Sequence, residues 1–444
     1  MSLTPPQPIP DREHNARTSG RLPAMALFMW LLPQFAIPAS TAYRPPAASL
    51  FLLLWALFAL MQPLALRLWL RDPGALRQWV VVFFVYCLAS ALYGYMHLDG
   101  MGKLTLHLTT GGVAYSRVVL ERLLQVMLVL VAFEVVRHTR HPVRQLMRWW
   151  LQGLTVAVVL HALTYVITAD PLLQRAGTFN EGNLAGMYYL LSIFVALEYH
   201  RAAPPSRAAN RYLLLALIGV VLSQSSASLV LLAMLLSIYY VFTARTRSRL
   251  LLRSLTVFIV TPALAIGLVL AGLDFGIHEK LFEEEVTPAS FSRIDRLESI
   301  NAALQLFENA PIFGQGLQTY GFLSNELLSG PLLTIYDESY RRIANNIYAE
   351  LASEMGLVGM VLFCGFLLSL IRLAWKRIGA GRRHWLLGLA GVLLYWNAFP
   401  TYTVVFIWVF FGLVLKSASP RAASSPPLPA PPLPPATLAT TTTP

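Results

Sequence analysis

Charge is the scarcest thing in this chain. Asp, Glu, Lys and Arg make up 13% of its 444 residues, where a soluble globular domain carries about 25%. With 56% of residues hydrophobic, that shortage excludes a soluble enzyme and leaves an integral membrane protein. Cysteine is nearly absent. The two present, Cys87 and Cys364, both lie inside apolar runs, which excludes a disulfide framework or a thiolate metal site and leaves two small buried hydrophobes. The histidines, His97, His107 and His161 among them, show no paired spacing for a metal. No metal and no cofactor are therefore expected. His161 sits in an apolar run and is expected to be a hydrogen-bonded core residue. No internal repeat is found, so an inverted-repeat transporter has no support.

What the chain does have is a succession of apolar runs, many near the ~20 residues that a spanning helix needs. They are expected near 22–42, 47–69, 78–98, 118–136, 149–168, 183–200, 212–223, 226–243, 253–273, 347–371, 384–399 and 401–416. The pair 212–223 and 226–243 is too short for two full spans and is interrupted by Ser223-Gln224-Ser225-Ser226-Ala227-Ser228. Two shortened helices meeting at a polar break fit there, provided the break lines a water-filled cavity. Residues 1–21 are polar and expected to be a cytoplasmic tail, not a cleavable signal, because many more apolar runs follow. Residues 417–444 are Ala, Pro, Ser and Thr-rich and expected to be disordered.

Basic residues test this layout. The net charge is +12, but the Lys and Arg residues sit in short loops, not in a stripe, which points to membrane orientation and away from nucleic acid. With the amino terminus inside, 24 of the 34 basic residues fall on inner segments, and the alternation is regular when the break at Ser223–Ser228 touches the outer side. The expectation is an all-α polytopic protein of about twelve spans with both termini cytoplasmic. Residues 22–273 would hold the first nine spans and 347–416 the last three. Residues 274–346 would form one large outer loop, periplasmic in a bacterium.

Membranes keep few charges near the outer face unless they are used. Arg175 lies in the polar loop 174–183 with Asn180 and Asn183 near the amino end of the next helix, where free N–H groups and the helix dipole favour an anion; interfacial anchoring is the competing reading. Arg293 and Arg296, three apart, share a helix face. With Arg175 they could clamp a diphosphate, since guanidinium matches phosphate oxygens bidentately. Leu297, Ile300, Leu304 and Phe307 give the same segment an apolar stripe, as in a helix lying on the membrane. Asp337, Glu338, Arg341 and Arg342 form a mixed-charge cluster before the tenth span, for which a salt-bridged surface competes with a general base. Glu121 and Arg122 read as a structural charge pair.

Several of these stretches are similar to one family. Asn345-Asn346-Ile-Tyr348-Ala-Glu350-Leu-Ala-Ser-Glu354-Met-Gly356-Leu-Val-Gly359 resembles the His-Asn-x-Tyr-Leu-x-x-Leu-x-Glu-x-Gly-x-x-Gly stretch of the O-antigen ligase and polymerase superfamily. Arg296 with Pro311 and Gly314-Gln315-Gly316 resembles its Arg-x-x-x-Trp…Pro-x-x-Gly-x-Gly segment, and Arg175-Ala-Gly177-Thr-Phe179-Asn-Glu-Gly-Asn183 its Arg-x-x-Gly-x-Phe-x-x-x-Asn loop. Ser223-Gln224-Ser225-Ser226 stands where the family has a Ser-Arg break.

The resemblance implies a metal-independent, inverting glycosyltransferase of the GT-C type in the bacterial inner membrane. It would take a glycan from an undecaprenyl-diphosphate carrier and pass it to another glycan or to lipid A–core, with a chain-length regulator as a candidate partner. Arg175 and Arg296 would hold the leaving diphosphate, with Arg293 beside them. Apart from the resemblance, Arg341, Arg342, Asn180, Asn183, Asn346 and Tyr348 are candidate substrate contacts. Three departures matter. Asn345 replaces the histidine that in ligases helps activate the acceptor, Ile300 replaces the tryptophan, and the serine break lacks its arginine. Asparagine cannot act as a base, so the base would be Glu338, Asp337 or none, and a Wzy-like polymerase is favoured over a ligase.

Overall fold

The computed structural model describes residues 24–33, 75–108, 111–139, 141–201, 207–244, 246–270, 291–327, 342–379, 382–398 and 402–418. It is mostly helical. The helices are α1 (Ala24–Trp30), α2 (Ala75–Gly100), α3 (Tyr115–His138), α4 (Val143–Ile167), α5 (Pro171–Ala176), α6 (Gly182–Arg201), α7 (Arg207–Leu222), α8 (Ser226–Phe242) and α9 (Arg247–Leu270). They continue with α10 (Phe291–Asn309), α11 (Tyr320–Leu323), α12 (Ile347–Arg377), α13 (His384–Tyr395) and α14 (Val405–Ser417). Among the described residues, three helices are long and apolar enough to cross a membrane: Leu76–Gly100, Val143–Ile167 and Ile347–Arg377. The expected span 47–69 and the acids Asp337 and Glu338 with Arg341 lie outside the described residues.

Helices that are apolar all round belong in the middle. α6 is one. Leu184 to Ala196 are buried on every side, and the helix is packed by α4, α7, α8 and α13. α14 is buried along nearly its whole length and lies on α3. Aromatic rings fill the space between these helices: Trp150 stacks on Tyr188 at 5.3 Å, and Phe366 on Trp408 at 5.3 Å. Outer helices keep a second apolar face uncovered, as with Val82, Val85 and Leu92 on α2 or Leu251, Leu255 and Phe258 on α9. A double-faced apolar helix of this kind suits hydrocarbon on one side and protein on the other.

Three features depart from the sequence-based expectation. Thr105–Leu108 and Gly111–Ala114 pair as an antiparallel hairpin, Thr105 opposite Ala114, so the chain is not purely helical; the alternating Thr-Leu-His-Leu is a short strand pattern. Glu121 and Arg122 have separate partners, as expected for adjacent residues that point to different helix faces. Arg122 is buried against Glu350 (Nη2–Oε1 3.4 Å), while Glu121 accepts from Gln125.

The third departure is that α12 is not continuous. It breaks at Gly356, whose φ of 61° and ψ of −164° lie outside any helix. The Pro311–Gly316 turn docks into the break and supplies the backbone bonds the helix loses there: Leu357 N donates to Pro311 O (2.8 Å), Val358 N to Ile312 O (3.1 Å), Gln315 N to Ser353 O (2.9 Å) and Gly316 N to Glu354 O (2.8 Å). Unpaired buried backbone groups are costly, so the glycine turn and the break stabilise each other. The turn is thus a backbone clip.

Candidate active site

Arg175 comes from α5, a helix of one and a half turns that cannot hold itself in place. Its anchors are tertiary. His161, fully buried on α4, bonds the Gln174 carbonyl through Nε2 (2.8 Å) and Tyr189 Oη through Nδ1 (3.0 Å), the core role expected for it. Gln174 Nε2 donates to Thr168 O (2.7 Å) and Thr178 Oγ1 to Pro33 O (2.9 Å). Phe179, fully buried, wedges among Tyr188, Tyr189 and Phe406. Arg175 is thereby fixed in place, and its Nε is buried with no hydrogen-bond partner among the described residues.

The next residues bring the serine break to the same point. Asn183 Nδ2 donates to Glu181 Oε1 (2.7 Å), Ser225 Oγ donates to Asn183 Oδ1 (3.0 Å), and Tyr395 Oη donates to the Asn183 carbonyl. The break itself is as expected: α7 stops at Leu222, Gln224 takes a φ of 47°, and Ser225 caps α8 by accepting from Ser228 N. It lies so close to α6 that a Cβ on Gly182 would stand 3.0 Å from Ser223 O, and one on Gly186 2.3 Å from Ser228 Oγ.

Arg296 reaches this point from the other side. α10 buries its small face, Ser299, Ala302 and Ala303, and turns Leu297 and Leu304 outward, while Ile300 of the same apolar stripe packs against the core. Glu181, exposed just before α6, feels the charge of both arginines. Crowding pushes its carboxyl above the ordinary range, and the Asn183 hydrogen bond, Arg296 and Arg175 pull it back in part. Two cations from distant parts of the chain therefore share one counter-charge.

A second carboxylate also feels the charge of Arg296. Asp295 Oδ2 accepts from Asn345 Nδ2 (2.8 Å), with Ser299 Oγ 3.5 Å from Oδ1. Burial raises the Asp295 carboxyl, opposed in order by buried Arg342, Asn345, Arg296 and Ser299. Asn345 holds its amide there from a φ of 51°, a left-handed conformation that asparagine tolerates. Neither Glu181 nor Asp295 was singled out from the sequence. The signal for each was adjacency to a candidate, Asp295 beside Arg296 and Glu181 between Asn180 and Asn183.

Other candidates serve the frame. Asn346 Oδ1 caps α12, accepting from Tyr348 N (2.9 Å) and Ala349 N (3.1 Å), and Tyr348 Oη donates to Leu393 O (3.0 Å). Asn180 lies in the loop before α6, and Arg293 on the first turn of α10. Glu350 and Glu354 are buried, bonded to Arg122 and Gln318 and to Tyr320 N respectively.

The architecture is that of a multi-pass helical membrane protein whose polar groups gather at helix ends, around two arginines and their carboxylates. Residues 212–364 match the family model described as O-antigen ligase, which supports the resemblance to the O-antigen ligase/polymerase superfamily. The matched stretch holds the serine break, α10 with Arg296, the glycine clip and Asn345 to Gly359; the Arg175 loop precedes it. No curated protein matches the chain.

Proposed function

We propose that the chain is an inner-membrane glycosyltransferase that takes a glycan from an undecaprenyl-diphosphate carrier and polymerises repeat units of a surface polysaccharide. The observation that carries this reading is that Arg175 and Arg296, far apart in sequence, both act electrostatically on Glu181. Two guanidinium groups that act on one anionic group suit a diphosphate that gains charge as it departs, and charge placed beside a developing anion is a usual source of transition-state stabilisation. The acceptor hydroxyl attacks the anomeric carbon from the side opposite the leaving diphosphate, so the configuration inverts.

The placement of charge supports an outward-facing site. Glu181 adjoins the amino end of α6, and Glu198 near its carboxyl end binds Arg201 (2.8 Å), Arg382 (3.2 Å) and His384 (3.1 Å). Twenty residues of helix separate the two ends by about 30 Å, one hydrocarbon thickness. The basic cluster then faces the cytoplasm and the arginine site the periplasm. Polymerisation is favoured over transfer to lipid A–core because Asn345 has no basic nitrogen and its amide is committed to Asp295.

The test is transfer by purified protein in proteoliposomes. A product ladder from lipid-linked repeat units alone is expected. Transfer only after lipid A–core is added would make the protein a ligase, and no transfer with either acceptor would overturn the reading. A second expectation concerns Glu181, whose charge competes with the incoming diphosphate. Glu181→Gln should lower the donor KM about tenfold, worth ~1.4 kcal/mol. A KM unchanged or raised would remove Glu181 from the donor site.

A further inference from the structure

We infer that Asp295 is the group that takes the proton of the acceptor hydroxyl. This rests on the glycosyl-transfer reading above and assigns a residue to a step that reading leaves open. Three carboxylates stand near the arginines, and their surroundings divide the work. Glu181 feels both Arg175 and Arg296, so it is the carboxylate that a leaving diphosphate would displace. Glu298 is one helical turn beyond Asp295 and faces Arg342. Asp295 adjoins Arg296 in sequence, and the charge of Arg296 acts on Asp295, on Glu181 and on Tyr395 alike. It therefore shares Arg296 with Glu181.

Its two oxygens are not equivalent. Oδ2 is held by Asn345 at 2.8 Å, whereas Oδ1 has only the long Ser299 contact of 3.5 Å. One oxygen is fixed and the other can accept. The groups facing the carboxylate are Arg342 and Asn345 from the segment before α12, Arg296, Ser299 and Glu298 from α10, and Tyr320 from α11. Burial makes the carboxylate more basic than a free aspartate, and the arginines oppose that shift, a direction that suits a general base. In the step itself the acceptor oxygen bonds to the anomeric carbon as its proton passes to Asp295 Oδ1. The bond from that carbon to the phosphate oxygen breaks, and its electron pair leaves with the diphosphate.

The experiment is kcat and KM against pH in proteoliposomes with the lipid-linked repeat unit. Asp295→Asn should lower kcat by about 10²-fold or more with the donor KM held, within the usual range for loss of a general base. Asp295→Glu should recover part of the rate. Wild-type kcat should fall on the acid side through a pKa above the ordinary aspartate range, and the residual Asp295→Asn rate should lack that limb. If Asp295→Asn does not accumulate, Asn345→Ala replaces it. Removing the amide takes away a bond to the charged form, so the acid limb should move to higher pH. A near-wild-type rate in Asp295→Asn, an acid limb that persists in it, or an unmoved limb in Asn345→Ala would overturn the assignment and leave the transfer reading standing. Absence of wild-type turnover would instead count against that reading itself.

Discussion

Arg296→Ala should lower the rate of glycan transfer by about 10²–10³-fold, the usual cost of removing one preorganised charge from a developing anion, and leave the fold intact. Both halves follow from where the residue sits. Its charge acts on Glu181, Asp295 and Tyr395, yet its guanidinium makes no hydrogen bond among the described residues, so truncation leaves no broken pair behind. Lysine should recover little, because an ammonium lacks the flat fork that meets two phosphate oxygens at once. The check is initial rate beside a thermal unfolding curve in detergent. A lowered unfolding temperature matching the lost rate would make Arg296 a structural residue.

Gly356→Ala should have the largest effect on stability. At φ 61°, ψ −164° the residue occupies a region that is essentially glycine-only and costs about 1–3 kcal/mol for others, and a Cβ there would stand 2.4 Å from Ile312 O and 2.5 Å from Gly314 N. Both contacts are backbone of the docked turn, so neither can move without opening the bonds that join Pro311–Gly316 to α12. The total should exceed about 3 kcal/mol. Purified Gly356→Ala should unfold at a markedly lower temperature than wild type or fail to accumulate. Gly379→Ala, at a position where a Cβ meets nothing within 4 Å, should behave as wild type. A stable Gly356→Ala protein would mean that turn and helix can separate freely.

What could be read from the sequence was whatever depends on neighbours along the chain. The apolar runs near 78–98, 149–168 and 183–200 are helices α2, α4 and α6, the serine break is a break, and His161 is a bonded core residue. Pairings between distant residues were not legible. Asn345 and Asp295 are 50 positions apart, and Arg122 and Glu350 are 228 apart, so neither partner announces the other. The break in α12 was hidden for another reason. Ile347 to Leu370 reads as one mostly apolar helix, interrupted by Glu350, Ser353 and Glu354, in which Gly356 looks like a tolerated helical glycine; it becomes a break only because a turn from elsewhere satisfies its backbone. Asn346 and Tyr348 matched family positions, and in the folded chain their side chains cap and brace α12.

The central claim is that Arg175 and Arg296 act together on one anionic group of a lipid-linked donor. The most direct measurement is donor binding to wild type, Arg175→Ala, Arg296→Ala and the double variant, read by titration calorimetry with a short-chain polyprenyl diphosphate. Each single loss should weaken binding, and the double loss should cost clearly less than the sum of the two, as expected for two groups that share a ligand. Strictly additive losses, or binding that neither substitution changes, would contradict it.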